Sequence, residues 1–97
     1  MDYKLLWSKE SIRKLEEILD DIIYNWTDKE VDDFKNKLSH QLDLIIQNPL
    51  MFPASTYNPR LRKAVLSKQT TIYYEIIDDI IYLAYLHLNK KAIRKIK

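Results

Sequence analysis

Residues 60–91 read RLRKAVLSKQTTIYYEIIDDIIYLAYLHLNKK. Three runs rich in β-branched and aromatic residues, 60–68, 70–77 and 80–87, follow one another across short polar breaks. Side chains branched at Cβ or carrying rings fit a pleated, half-buried surface, so each run reads as a strand. In the first run Leu61, Val65 and Leu66 are the expected apolar positions. In the second, alternation puts Ile72, Tyr74 and Ile76 on one face and Thr71, Tyr73, Glu75 and Ile77 on the other. Asp78-Asp79 reads as a two-residue hairpin turn, because aspartate tolerates the positive φ that such turns need. The third run is apolar on both faces, which places it in the middle of the sheet. The stretch is therefore expected to be a three-stranded antiparallel meander, with basic residues at both ends.

The residues before it are expected to cover one face of that sheet. Residues 2–7 alternate weakly, with Tyr3, Leu5 and Trp7 against Lys4 and Leu6, and predict a short strand. Ser8 has the position of a helix N-cap, with Glu10 in the first turn where the helix dipole favours an acid. Ile12, Leu15, Ile18, Leu19, Ile22, Ile23 and Trp26 then recur at spacings of three and four, the apolar stripe of a helix. Thr27-Asp-Lys-Glu30 is a capping box that starts a second helix almost at once. Its stripe is Val31, Phe34, Leu38, Leu42, Ile45 and Ile46. Asn48-Pro49 stops it, since the residue before proline is pushed out of the α region. Two amphipathic helices joined so closely predict an antiparallel hairpin. Residues 50–59 form a loop that Met51, Phe52 and Tyr57 are expected to anchor on the core. Residues 89–97 are a basic tail. The expected class is α+β, in the order β-α-α-β-β-β, with the helical hairpin packed on a small, mainly antiparallel sheet.

Composition narrows the chemistry. Ninety-seven residues are expected to form a single domain, 1–97. Cysteine is absent, which excludes disulfides, thiolate metal sites and a cysteine nucleophile. Glycine is absent as well, so neither a P-loop nor a dinucleotide fingerprint can be built. The opening residues do not resemble a signal peptide, and no window is apolar enough to span a bilayer. A cytoplasmic protein that takes no membrane partner is the expectation. The net charge of +2 is unevenly distributed. Residues 1–59 carry 7 Lys/Arg against 11 Asp/Glu, a net of −4, and residues 60–97 carry 9 against 3, a net of +6. A segregated basic half suits an acidic or polyanionic partner.

The two histidines, His40 within the second helix and His87 at the end of the last strand, lack partners at metal-ligand spacing, so no metal or other cofactor is expected. Glu75 lies mid-strand and is expected to pair with Lys63 or another cation. A basic and aromatic set gathers on the meander. Arg60, Arg62, Lys63 and Lys68 flank the first strand, Tyr73, Tyr74, Tyr82 and Tyr85 lie on the next two, and His87, Asn89, Lys90, Lys91 and Arg94 close the sheet. Cations beside sheet tyrosines suit phosphate contacts and stacking, although at least half of these rings are expected in the core.

The chain as a whole resembles toxins of the RelE/ParE superfamily, the toxin halves of type II toxin–antitoxin modules. The matching residues are Trp7-Ser8, the Leu15, Ile18, Ile22-Ile23 stripe, Trp26, then Phe34, Leu38 and Ile45. They continue through Asn48-Pro49, Phe52-Pro53 with Ser55, Arg62, Ala64-Val65, Ile72-Tyr73-Tyr74-Glu75-Ile76, and His87 with Lys90-Lys91. The resemblance implies growth inhibition, plasmid stabilisation and neutralisation by a cognate antitoxin. RelE-like members resemble ribosome-dependent mRNA endoribonucleases, whereas ParE-like members bind and poison DNA gyrase. Aligned on the Ile72-Tyr73-Tyr74 block, the arginine that many members place just before it falls on Thr71. Threonine supplies no cation to a phosphorane. The C-terminal pair is Lys90-Lys91, which gives charge without the bidentate fork of arginine. The expectation is therefore a binder of gyrase rather than an enzyme. Its target-binding candidates are Arg62, Lys63, Lys68, Tyr73, His87, Lys90, Lys91 and Arg94. In the alternative, a metal-independent ribonuclease acting on ribosome-bound mRNA, the catalytic candidates are Tyr85, His87, Lys90 and Lys91.

Overall fold

The computed structural model describes residues 2–68 and 70–88. The elements run β1 (Lys4–Trp7), α1 (Lys9–Asn25), α2 (Asp28–Gln47), β2 (Arg62–Val65), β3 (Thr70–Ile77) and β4 (Ile80–Leu88). They make an α+β fold in which two helices cover one four-stranded sheet of order β1-β4-β3-β2. The meander is antiparallel, and β1 joins it in parallel along β4. The run that is apolar on both faces is thus an interior strand, because β1 covers its other edge. The hairpin between β3 and β4 turns at Asp78, whose φ of 54° lies in the left-handed region. A short polar side chain makes that conformation accessible without glycine.

Both helix starts follow from their caps. The Ser8 hydroxyl accepts the Ser11 amide at 3.0 Å. Thr27 and Glu30 exchange both bonds of a capping box, with the Glu30 amide donating to Thr27 Oγ1 at 3.2 Å and the Thr27 amide to Glu30 Oε1 at 3.1 Å. The helical stripes and the sheet then share one core of Ile18, Ile22, Phe34, Leu38 and Ile45 with Ile72, Tyr74, Ile81, Leu83 and Leu86. Each side chain of this size contributes about 1.5–3 kcal/mol by leaving water.

Several expected positions fall elsewhere. The first strand begins at Lys4, not residue 2. On α1, Ile12 and Ile23 are 47% and 58% exposed, while Ser11 is fully buried. The buried line of α1 is Ser11, Ile18 and Ile22, with Leu15 partly buried against it, so the stripe is narrower than the apolar residues suggested. Ser11 tolerates burial because its hydroxyl donates to the Ser8 carbonyl at 2.8 Å. On β2, Ala64 faces the core and Val65 is exposed, the reverse of the expected alternation, and the strand is shorter than residues 60–68. In the 50s loop only Phe52 anchors as expected, edge-on to Tyr74 with ring centroids 6.3 Å apart. Met51 and Tyr57 are exposed.

Strict alternation fails once more, within β4. Tyr74 pairs with Leu83 and Tyr73 with Tyr85, so Ala84 is an extra residue, a β-bulge. The parity of the strand changes there. Ile81, Leu83, Leu86 and Leu88 all turn inward, and Tyr82, Tyr85 and His87 share the outer face. The bulge is tied to the first helix. Ser8 donates its hydroxyl to the Ala84 carbonyl at 2.7 Å and its amide to the Leu83 carbonyl at 3.1 Å.

Tyr74 is fully buried, and its hydroxyl donates to the Pro49 carbonyl at 2.6 Å. Burial pushes its phenol from 10.0 up to about 12, with the opposing, smaller pull of Arg62 lowering it. The folded state therefore keeps this proton while the unfolded chain gives it up, so the contribution is intact below pH 10 and is lost as pH rises towards 12. Alkaline unfolding of wild type should weaken stability through this window by roughly 2–3 kcal/mol more than in Tyr74→Phe. Parallel slopes of urea-melt stability against pH for the two proteins would contradict this.

Candidate functional site

The helices cover one face of the sheet; the other carries a groove. Cross-strand register assembles it. Lys63 on β2 lies opposite Tyr73 on β3, Tyr73 opposite Tyr85 on β4, and Thr71 opposite His87. With Tyr57 from the loop before β2, these residues line a shallow depression of about 400 Å³. Tyr73 and Tyr85 stack with ring centroids 4.7 Å apart and planes 19° from parallel. Such a pair is worth about 0.5–1.5 kcal/mol beyond its buried area and gives the groove a rigid aromatic floor. Burial pushes the Tyr85 phenol up, and the neighbouring Tyr73 and Tyr57 phenols add to it. Tyr85 is therefore a hydrogen-bond donor at neutral pH, not a base.

The structure separates the sequence-derived candidates. Lys63 and His87 are exposed in the groove, and Tyr85 lines it, half-buried against its stacking partner Tyr73. Tyr73 is on the same floor but only 8% exposed, so it supports Tyr85 more than it offers surface. Lys68 is exposed in the turn between β2 and β3, away from the lining residues. Arg62 lies opposite Tyr74, on the other face of β2 from Lys63. Its Nη1 donates to the Phe52 carbonyl at 2.6 Å and to the Leu50 carbonyl at 3.5 Å. Lys90, Lys91 and Arg94 lie outside the described residues, as does the basic tail. Glu75 pairs with a cation as expected, Arg60 at 3.7 Å, and not with Lys63, which lies opposite Tyr73, two positions along β3. An ion pair with Arg60 80% exposed contributes little to stability. His40 is exposed on α2.

Two residues of the groove escaped the sequence. Tyr57, expected in the core, is 91% exposed at the groove's mouth. The signal was local: Ser55-Thr-Tyr-Asn-Pro59 is a run of turn formers, and the Asn58 side chain accepts the Arg60 amide at 3.0 Å. Thr71 was noticed for the arginine it replaces, but its place opposite His87 was not legible. Among the described residues lining the groove, Lys63 holds the fixed positive charge. No group of three or more potential metal ligands occurs among the described residues, and no helix there is long and apolar enough to cross a membrane.

Comparison with known proteins places this geometry. The family model for the ParE toxin of the type II toxin–antitoxin system, parDE, matches residues 5–92. No curated protein matches the chain in sequence. Among solved structures, the chromosomal ParDE toxin–antitoxin system from P. aeruginosa is similar with a TM-score of 0.74 at 12% identity, over 89% of this chain and 95% of that one. The E. coli DinJ–YafQ toxin–antitoxin complex is similar with a TM-score of 0.65 at 13% identity, over 94% and 97%. The RelBE2 toxin–antitoxin complex from Mycobacterium tuberculosis gives 0.63 at 11%, over 92% and 100%. At such identities these structures share the fold with this chain.

Proposed function

The chain belongs to the ParE toxin family of type II toxin–antitoxin systems, within the RelE/ParE superfamily, and on that premise we propose that it inhibits growth by binding DNA gyrase through the open sheet face. One observation carries the choice of binding over cleavage. The position facing His87 across the groove is Thr71, and the nearest arginine of β2, Arg62, is turned to the loop carbonyls. A ribonuclease must stabilise charge on the scissile phosphate, the term that dominates such reactions. Among the described residues of the groove Lys63 is the one fixed cation, and a flexible point charge is a poor substitute for an arginine fork. A groove with an aromatic floor and a cationic wall is better suited to gripping a protein surface, where tyrosines and desolvated charges hold the partner.

A cognate antitoxin completes the proposal. Residues 60–97 carry a net +6, which an acidic antitoxin segment that folds on binding neutralises. The test is plasmid supercoiling by purified gyrase. Supercoiling should fall with added protein and return when the antitoxin is added. Full supercoiling at large excess of the protein sinks the gyrase reading.

The second reading, a ribosome-dependent endoribonuclease, is favoured by the adjacency of Tyr85, His87 and Lys63 in one groove. A protonated Tyr85 and the imidazole of His87 are suitable proton-transfer groups. Primer extension on translated mRNA then gives discrete codon-linked ends, and uniform full-length products exclude it.

A further inference from the structure

Arg62 was expected to touch the target, yet its guanidinium is committed elsewhere. It bridges the Leu50 and Phe52 carbonyls at the start of the loop before β2. The loop is also tied on its other side. The Lys63 amide donates to the Pro53 carbonyl at 2.9 Å, and the Ser55 amide to the Leu61 carbonyl at 2.7 Å. These bonds lay residues 53–55 along the edge of β2, where Ala54 and Arg62 form an isolated bridge. Ser55 is buried, and its hydroxyl accepts the Tyr57 amide at 3.2 Å.

Hydrophobic burial does little to hold this loop. Leu50 is 69% and Met51 55% exposed, and Phe52 is the apolar side chain that reaches the core. Hydrogen bonds therefore fix its path, and the charged ones from Arg62 are the strongest class among them. The outcome is an aromatic ring 91% exposed on a backbone that is pinned two residues away. An exposed tyrosine adds almost nothing to folding stability. It does add a preorganised stacking surface with little entropy left to lose on binding.

We propose that Tyr57 is a specificity-determining contact of the groove, and that Arg62 is its positioning residue, acting through the loop rather than on the target. This rests on the open sheet face being the target-binding surface. Arg62 holds the loop, the loop places Ser55, and Ser55 holds the backbone of Tyr57 over the Tyr73–Tyr85 floor. Both bonds leave the guanidinium from one nitrogen, Nη1, so the hold depends on a cationic donor reaching that point rather than on a bidentate fork.

A double-mutant cycle tests the pair. Wild type, Tyr57→Ala, Arg62→Met and the double variant are titrated in the supercoiling assay, and the same four are induced in cells without antitoxin and scored by colony counts. Tyr57→Ala should weaken inhibition about tenfold with an unchanged melting temperature, and the double variant should be within about twofold of Arg62→Met. Arg62→Lys, whose ammonium also carries several N–H donors on one nitrogen, should lose less than Arg62→Met. Additive losses, about a hundredfold in the double variant, show that Arg62 acts independently of Tyr57 and overturn the proposal. So does undiminished potency in Tyr57→Ala. If wild type kills cells but leaves supercoiling untouched, the gyrase reading fails and the cycle is decided on colony counts. Amide hydrogen exchange is independent of any target. Ser55, Tyr57 and Lys63 should exchange about tenfold faster in Arg62→Met than in wild type, with helix amides unchanged. Unaltered exchange at those three amides overturns the positioning role whatever the target is.

Discussion

Tyr74→Ala will lower folding stability by about 3–5 kcal/mol, as truncation of a large buried aromatic does when the surroundings close only partly. Three things are lost together. The ring fills a fully buried position in the core. Its edge-to-face contact holds Phe52, the loop's apolar anchor. Its hydroxyl satisfies the Pro49 carbonyl at the end of α2, and leaving that acceptor unpaired adds about 1–3 kcal/mol. Domains of this kind have only about 5–15 kcal/mol to lose, so the variant should sit at the margin of folding. Tyr74→Phe keeps the ring but leaves the same carbonyl unpaired, so its loss should be only that part, about 1–3 kcal/mol. Urea melts of the three proteins separate packing from hydrogen bonding. If the alanine and phenylalanine variants have the same midpoint, the ring does not contribute the packing argued here.

Lys63→Glu will weaken growth inhibition at least about thirtyfold, because reversing a desolvated interfacial charge costs about 2–5 kcal/mol. Lys63 is exposed and makes no ion pair among the described residues, so its replacement should leave the melting temperature within about 2 °C of wild type. That separation of potency from stability is what marks a contact residue. Colony counts after induced expression measure the first and thermal melts the second. Retained toxicity in a folded Lys63→Glu protein means that the groove is not the working surface. Lys68→Glu is the internal control, since Lys68 lies in the neighbouring turn and is not among the residues that line the groove, so it should change potency little.

The contrast between Lys63 and Arg62 shows why the site was only partly legible. They are adjacent in sequence and both basic, and a list of cations on a strand treats them alike. Alternation places them on opposite faces, but which face is open depends on where the helices pack. The loop carbonyls that capture Arg62 come from residues 10 and 12 positions earlier, through a turn whose path no local preference dictates. Tyr57 was misassigned although the turn formers around it, Ser55 to Pro59, were a local signal. A ring in a loop with other apolar residues looks buried until the loop's hydrogen bonds turn it outward. Ile12 and Ile23 were overcounted because helical periodicity marks an apolar stripe without saying how wide a face its neighbour covers.

By itself the sequence determined the element order, both helix caps, the Asp78-Asp79 turn and the interior place of the last strand. It also carried enough residues in the right order to identify the family. Each of those features depends on side chains within a few positions of one another, or on a period that repeats along the chain. The tertiary structure decided which face of the sheet the helices leave open. The Ala84 bulge shifts the parity of β4, and the hydroxyl that accompanies it comes from Ser8, 76 positions away. Through that shift Tyr85 and His87 join Tyr73, Thr71 and Lys63 on the open side, while Leu86 and Leu88 stay in the core. Local pattern has no term for a register change, because the ladder, and the helix start that receives the bulged carbonyl, exist only once distant segments have met.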